Sequence, residues 1–229
     1  MNTNNEQEKY WQTYYENKAE INDDFKKCVY QSKERMEKLH SRIINNLEKQ
    51  SGKLLDYGCG PGILANKLQK RGFSVIGVDI SRKMVEQANK SYGEFIVFKQ
   101  SSLQGMLPDE ESFDVIVLAE VIQYLNHRKA IEVLMKKTKQ GGQIIITGPN
   151  YDFFHYQNKQ RTVVCKIKDL IISFRTFITS GSFSNYKPIK LPNFIKMIEK
   201  TNQCQSITID CSSVIDNQYN NFVISIIKK

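Results

Sequence analysis

The chain has 229 residues, 40% of them hydrophobic, and a formal net charge of +9 at pH 7; this suits one substantial core, and no Pro/Gly/Ser-rich linker divides it. No apolar run approaches a membrane span and the opening MNTNNEQEK carries no apolar signal region, so a soluble, cytoplasmic protein without stable membrane insertion is expected. The five cysteines, Cys28, Cys59, Cys165, Cys204 and Cys211, are odd in number and lack Cys/His ligand spacing, which indicates neither a disulfide framework nor a metal site.

The basic residues are dispersed among Asn, Gln and Ile with no arginine-rich stripe, which reads as a solvated surface and argues against a nucleic-acid partner. Near the start, Tyr10 to Tyr15 (YWQTYY) is an aromatic cluster holding the sole tryptophan, Trp11, in an otherwise polar segment. From Asp23 to Gln50 apolar residues recur at helical spacing (Val29, Met36, Leu39, Ile43, Leu47), predicting one long amphipathic helix or two shorter ones.

Lys53 to Ala65 (KLLDYGCGPGILA) reads as a short apolar strand ending in Asp56, a turn through Gly58, Gly60 and Gly62, and a helix start with Pro61 near its first turn. Glycines at alternate positions allow positive φ and the close approach of a ligand. The pattern is not the dinucleotide fingerprint GxGxxG, because its third glycine position is Ile63. An acid just before the turn would repel a pyrophosphate and welcome an ammonium, so a ligand with a cationic end is indicated. Phe73 to Val78 is the next buried strand, and it ends at Asp79, roughly 20 residues past the loop, where a carboxylate can hold both hydroxyls of a ribose.

In LLDYGCGPGILA and GVDISRKM the chain resembles the class I S-adenosylmethionine-dependent methyltransferases of small-molecule type. The resemblance implies an α/β, Rossmann-like, doubly wound sheet of seven strands, mostly parallel with the last antiparallel, and a helical cap. It implies S-adenosylmethionine as cofactor and S-adenosylhomocysteine as product. The cofactor would lie against Asp56, Gly58, Cys59, Gly60, Gly62 and Asp79, with Ile80 and Met84 near the adenine. Cys59 reads as a small residue beside the ligand or as a low-pKa nucleophile. The aromatic cluster becomes part of an N-terminal lid over 1–50, with Trp11 and Tyr14 near the cofactor and Tyr15 beside them; a packing staple is the plainer alternative.

Further along, Ser81 is a helix N-cap, Glu94 to Lys99 is a third strand, and Ser101, Ser102 and Leu103 follow. Relatives place an aspartate near Ser102 to bind the adenine amino group; a hydroxyl there can accept the same bond without charge. Ser112 to Leu118 is the fourth strand, with Ala119 facing the methionine end, and the common Glu-His pair is replaced by Gln123-Tyr124. His127 nearby is a candidate base or a residue capping the helix Arg128 to Lys139; Gly141-Gly142 ends that helix and Gln143 to Thr147 is the fifth strand. Residues 151–190 form an inserted aromatic and basic segment where relatives place acceptor-binding elements, with Tyr151 and His155 as catalytic candidates. Its stretch Lys166 to Ile178 fits a lid, a homodimer contact or a basic amphipathic helix at a membrane surface. A helix from Leu191 to Lys200 and strands Ser206 to Asp210 and Asn221 to Ile227 close a single domain.

The leading expectation is methyl transfer to a small-molecule acceptor. RNA or protein methylation is the alternative, against which stands the absence of an NPPY-like motif at Ala119-Glu120-Val121-Ile122. A protein that binds the cofactor without catalysis is the third reading.

Overall fold

Leu54 and Leu55 are adjacent, fully buried, and on opposite faces of strand β1 (Gly52–Tyr57), a pattern that demands cover on both sides of a sheet. The computed structural model describes residues 9–17, 33–101, 112–149, 170, 171, 174, 178, 189–210 and 221–229. Helix α1 spans 9–17 and α2 spans Lys33–Asn45. After β1 come α3 (Ile63–Gln69), β2 (Phe73–Asp79), α4 (Arg82–Tyr92) and β3 (Val97–Gln100). Then follow β4 (Phe113–Ala119), a 3-10 turn (Ile122–Tyr124), α5 (His127–Lys137), β5 (Thr138–Pro149), α6 (Leu191–Glu199), β6 (Cys204–Asp210) and β7 (Asn221–Lys228).

The strands lie in the order β3-β2-β1-β4-β5-β7-β6. Strands β1 to β5 are parallel and β7 runs antiparallel to both β5 and β6, so the expected Rossmann-like sheet of seven strands is what forms. Leu39 and Ile43 of α2, Leu64 and Leu68 of α3 and Ala88 of α4 fill one face; Ile131 and Leu134 of α5 with Phe194 and Ile198 of α6 fill the other. The chain winds outward from β1 to β3, then returns to place β4 on the other side of β1. The segments leaving β1 and β4 therefore part at their carboxyl ends, and a crevice opens at this switch point.

Local signals explain most boundaries. Ser81 caps α4, accepting from the Met84 amide at 3.3 Å, and Asn126, one residue before His127, caps α5 through the Lys129 amide. Two expectations need correction. Helix α5 ends at Lys137, not Lys139, and β5 starts at Thr138, passing through Gly141 at φ +65°; regular pairing with β4 resumes only at Gln143 after a register shift. The third strand is the short edge segment Val97–Gln100, because residues 93–96 complete the turn out of α4. Of the expected cap over 151–190, the described positions are Leu170, Ile171, Phe174 and Ile178, all helical and exposed, with 189 and 190. Among the described residues, no helix is long and apolar enough to cross a membrane.

Candidate functional site

The site grows from the end of β1. Gly58 and Cys59 both donate their amides to the Val78 carbonyl (2.7 and 3.0 Å), which pins the loop against the end of β2. Gly58, Gly60 and Gly62 all take positive φ (+76°, +51° and +81°). Their surroundings differ. A Cβ on Gly58 would collide with the Val121 side chain, and one on Gly62 would come within 2.8 Å of Phe98 Cζ, so those two serve packing. A Cβ on Gly60 would meet nothing within 4 Å. Gly60 is therefore the glycine that leaves space open at the crevice.

Two carboxylates flank this loop. Asp79 accepts from the Gly60 amide through Oδ2 and from the Ser81 amide through Oδ1, both at 2.9 Å. Burial raises its pKa, against the lowering effect of those amides. Asp56 is 1% exposed and neither carboxylate oxygen has a hydrogen-bond partner. Its carboxyl is pushed up to about 7, first by burial and then by the nearby Asp79; the Ala65 amide favours the charged form without meeting hydrogen-bond geometry. An orphaned acid beside open space is a site waiting for a cation. Cys59 is buried, and burial beside Asp56 and Asp79 drives its thiol well above the ordinary range, which removes the nucleophile reading.

The opposite wall comes from α1, α2 and the segment after β4. Glu120 holds φ +58°, unusual for a side-chain-bearing residue, fixed by its amide on Thr147 O and Oγ1 (3.2 and 3.1 Å) and by Gln123 Nε2 on its carbonyl (2.7 Å). Its carboxylate takes a two-pronged ion pair from Arg35, itself 3% exposed, and a 2.6 Å bond from Asn221 Nδ2. This network fastens α2 to the ends of β4 and β7. One turn beyond Arg35 and Met36, His40 is 3% exposed with an unpartnered Nδ1. Burial, and next the Lys67 ammonium, hold its imidazole down to about 4, against the raising effect of Glu37 and Glu120. From α1, Trp11 packs on Tyr124 with ring centroids 4.3 Å apart and Tyr15 meets Tyr124 edge-on at 5.6 Å. Burial raises the Tyr124 hydroxyl, while bonding with Tyr15 and Gln123 lowers it.

Between these walls lies a cavity of about 350 Å³. It is lined by Asp56, Gly58, Cys59, Gly60, Asp79, Ile80, Met84 and Ala119 from the sheet side, and by Trp11, Tyr15, Met36, His40, Glu120 and Tyr124 from the other.

A family model described as a methyltransferase domain matches residues 30–179, more than half of the chain. The chain belongs to the methyltransferase-domain family. Curated relatives include a ubiquinone biosynthesis O-methyltransferase of Pelagibacter ubique, 40% identical over 77 residues that make up 32% of each chain. A ribosomal-protein methyltransferase of Neisseria gonorrhoeae is 38% identical over 104 residues, 44% of this chain and 33% of the relative. The chain thus spans about a third of the length of these relatives. Among solved structures, the magnesium protoporphyrin IX methyltransferase of Synechocystis PCC 6803 with bound SAM superposes with TM-score 0.57 at 17% identity, over 86% of this chain and 79% of that one. An S-adenosylmethionine-dependent methyltransferase of Mesorhizobium loti gives 0.62 at 14%, over 82% and 96%. That likeness concerns the fold.

Within this methyltransferase domain, several sequence expectations are relocated. Tyr14 does not line the cavity: its ring packs on Trp11 and Tyr15, and Tyr15 takes the lining place one residue on. His127 does not reach the cavity either, since it starts α5 and meets Phe194 edge-on at 5.4 Å. Gly62 and Ser101 border the loop and β3 without lining the cavity; Ser101 donates its amide to the Asp79 carbonyl at 2.9 Å. Ser102, Leu103, Tyr151 and His155 lie outside the described residues. Sequence reasoning missed Arg35, Met36, His40 and Glu120. The available signal was a histidine on the apolar stripe Met36, Leu39, Ile43, one turn after Met36.

Proposed function

We propose that this methyltransferase domain binds S-adenosylmethionine in the cavity and transfers its methyl group to a small-molecule acceptor. The observation that carries the reading is Asp56, a buried carboxylate with both oxygens unpartnered on the cavity wall, which fits the cofactor's ammonium end. Asp79 spends only two of its roughly four acceptor positions on Gly60 and Ser81, so it can still accept from two ribose hydroxyls. In this reading Gly60 borders the cofactor, Ile80 and Met84 face the adenine, the Ala119 backbone faces the methionine end, and Trp11 roofs the cavity.

Bound S-adenosylmethionine supplies a methyl group already activated by its sulfonium. The chain holds donor and acceptor in line and excludes water, and positioning of this kind lowers a barrier by roughly 7–11 kcal/mol. A crevice of about 350 Å³ flanked by aromatic rings favours a small acceptor. Of the expected lid over 1–50 we assign that role to α1 alone, because α2 is packed into the core through Leu39 and Ile43, and we assign 151–190 to an acceptor cap in which Tyr151 and His155 face the acceptor. The match to a ribosomal-protein methyltransferase keeps a protein acceptor as the second reading.

Calorimetric titration of S-adenosylmethionine, S-adenosylhomocysteine and NAD tests the assignment. Micromolar binding of the first two and none of NAD is expected. Asp79→Ala removes charge-assisted bonds worth about 1.5–3 kcal/mol, so it should weaken binding roughly 10- to 150-fold. Binding of NAD alone, or unchanged affinity in the variant, overturns the cofactor site. A mass-spectrometric screen of small molecules and ribosomal proteins then separates the two acceptor classes.

A further inference from the structure

We infer that His40 is the proton acceptor of the reaction and that the acceptor is a phenolic hydroxyl compound, an inference that rests on the methyl transfer proposed above. Its ground is a buried histidine on the wall of the cavity, one ring nitrogen of which has no partner. His40 is 3% exposed, Nδ1 has no partner, and the ring lines the same space as Asp56 and Ala119. A buried acceptor left bare in a packed interior costs about 1–3 kcal/mol unless a ligand supplies the missing donor. The surroundings say what that donor is attached to. Trp11, Tyr15 and Tyr124 present packed rings and Met36 a thioether to the cavity, so a flat apolar body with one hydroxyl fits them.

The imidazole is held neutral at pH 7 by burial and by Lys67, with Glu37 and Glu120 pulling the other way, and is ready to receive a proton. A base this weak suffices, because an oxygen that is gaining a bond to carbon turns cationic and its proton becomes strongly acidic. The acceptor oxygen bonds the methyl carbon, the carbon–sulfur bond breaks with its electron pair left on sulfur, and the O–H proton passes to Nδ1. The imidazolium then loses that proton to water when product leaves. The Arg35–Glu120–Asn221 network keeps α2, and so His40, against the cavity.

The test compares wild type and His40→Gln on a series of phenols of rising acidity: phenol, 4-chlorophenol and 4-nitrophenol. S-adenosylhomocysteine affinity, read by calorimetry, should stay within about twofold in the variant, which separates this inference from a failure of the cofactor assignment. At about pH 8, methylation of phenol should fall 10²- to 10⁴-fold, the range of general-base catalysis, and the defect should shrink toward 4-nitrophenol, which is largely ionised there. Added imidazole should restore phenol methylation in His40→Ala. In the S-adenosylhomocysteine complex, the His40 Cε1–H resonance should move when phenol is added. A defect equal across the series, no defect, or cofactor binding without methylation of any phenol overturns the inference.

Discussion

Replacing Asp56 by Asn removes the acid while keeping its shape, and the consequence can be worked from two opposed titrations. The Asp56 carboxyl lies at about 7 in the folded chain against 3.8 ordinarily. The native state therefore holds a proton that the unfolded chain has lost, and stability falls as pH rises from 3.8 to 7. About 3 units at roughly 1.4 kcal/mol each gives an upper bound of about 4 kcal/mol. His40 acts in the opposite sense: its pKa of about 4 lies below the ordinary 6.5, so the unfolded chain binds more protons and stability rises between pH 4 and 6.5, by up to about 3 kcal/mol. In wild type the two slopes nearly offset. Asp79, also raised by burial, adds a falling contribution common to both proteins. Asp56→Asn deletes only the Asp56 slope, so the variant should gain stability relative to wild type as pH rises from about 4 to 7, and above pH 7 the variant should melt several degrees higher than wild type. Calorimetric melts of the ligand-free proteins at pH 4.5, 6 and 8 measure this. The same variant should lose stabilisation by S-adenosylhomocysteine, and wild-type affinity for that ligand should weaken toward tenfold per pH unit below 7, while adenosine, which lacks the ammonium, binds without that dependence. Parallel pH profiles for the two proteins would refute the assignment of a buried, unpartnered acid.

Gly58→Ala meets both a positive φ and the Val121 side chain, and should destabilise by more than the roughly 1–2 kcal/mol of left-handed backbone strain alone; Gly60→Ala, with open space around its Cβ, should stay near that figure in chemical denaturation yet weaken S-adenosylhomocysteine binding at least tenfold. Arg35→Met takes the cation from the Glu120 carboxylate, leaving the Asn221 bond, and should cost up to about 3–5 kcal/mol in urea melts, with part of it regained by adding Glu120→Gln. Trp11 is the sole tryptophan and lines the cavity, so its fluorescence should change on titration with S-adenosylhomocysteine and stay unchanged with NAD.

Much of this was legible in order along the chain. The strand ending in Asp56, the glycine turn, Asp79 and the Ser81 cap are local features: each depends on residues a few positions apart, and strand periodicity fixes which end of the sheet they reach. The opposite wall was not legible in that way. His40 sits on a helix stripe whose neighbours Leu39 and Ile43 mark it only as a buried face, and Glu120 acquires its role through Arg35, 85 residues away, and Asn221, 101 away. Tyr14 and Tyr15 are equal in a sequence, and the rotation of α1 against Tyr124 chooses between them.

The sequence by itself determined the fold class, the acid-flanked glycine loop and its kind of ligand, because backbone conformation and periodicity are properties of short segments. Only the tertiary structure decided that Asp56 is left without a partner, that His127 faces Phe194 and that His40 faces the cavity. Those depend on which surfaces meet when α1 and α2 close over the switch point, and a pairing between distant segments leaves no trace in the spacing of either one.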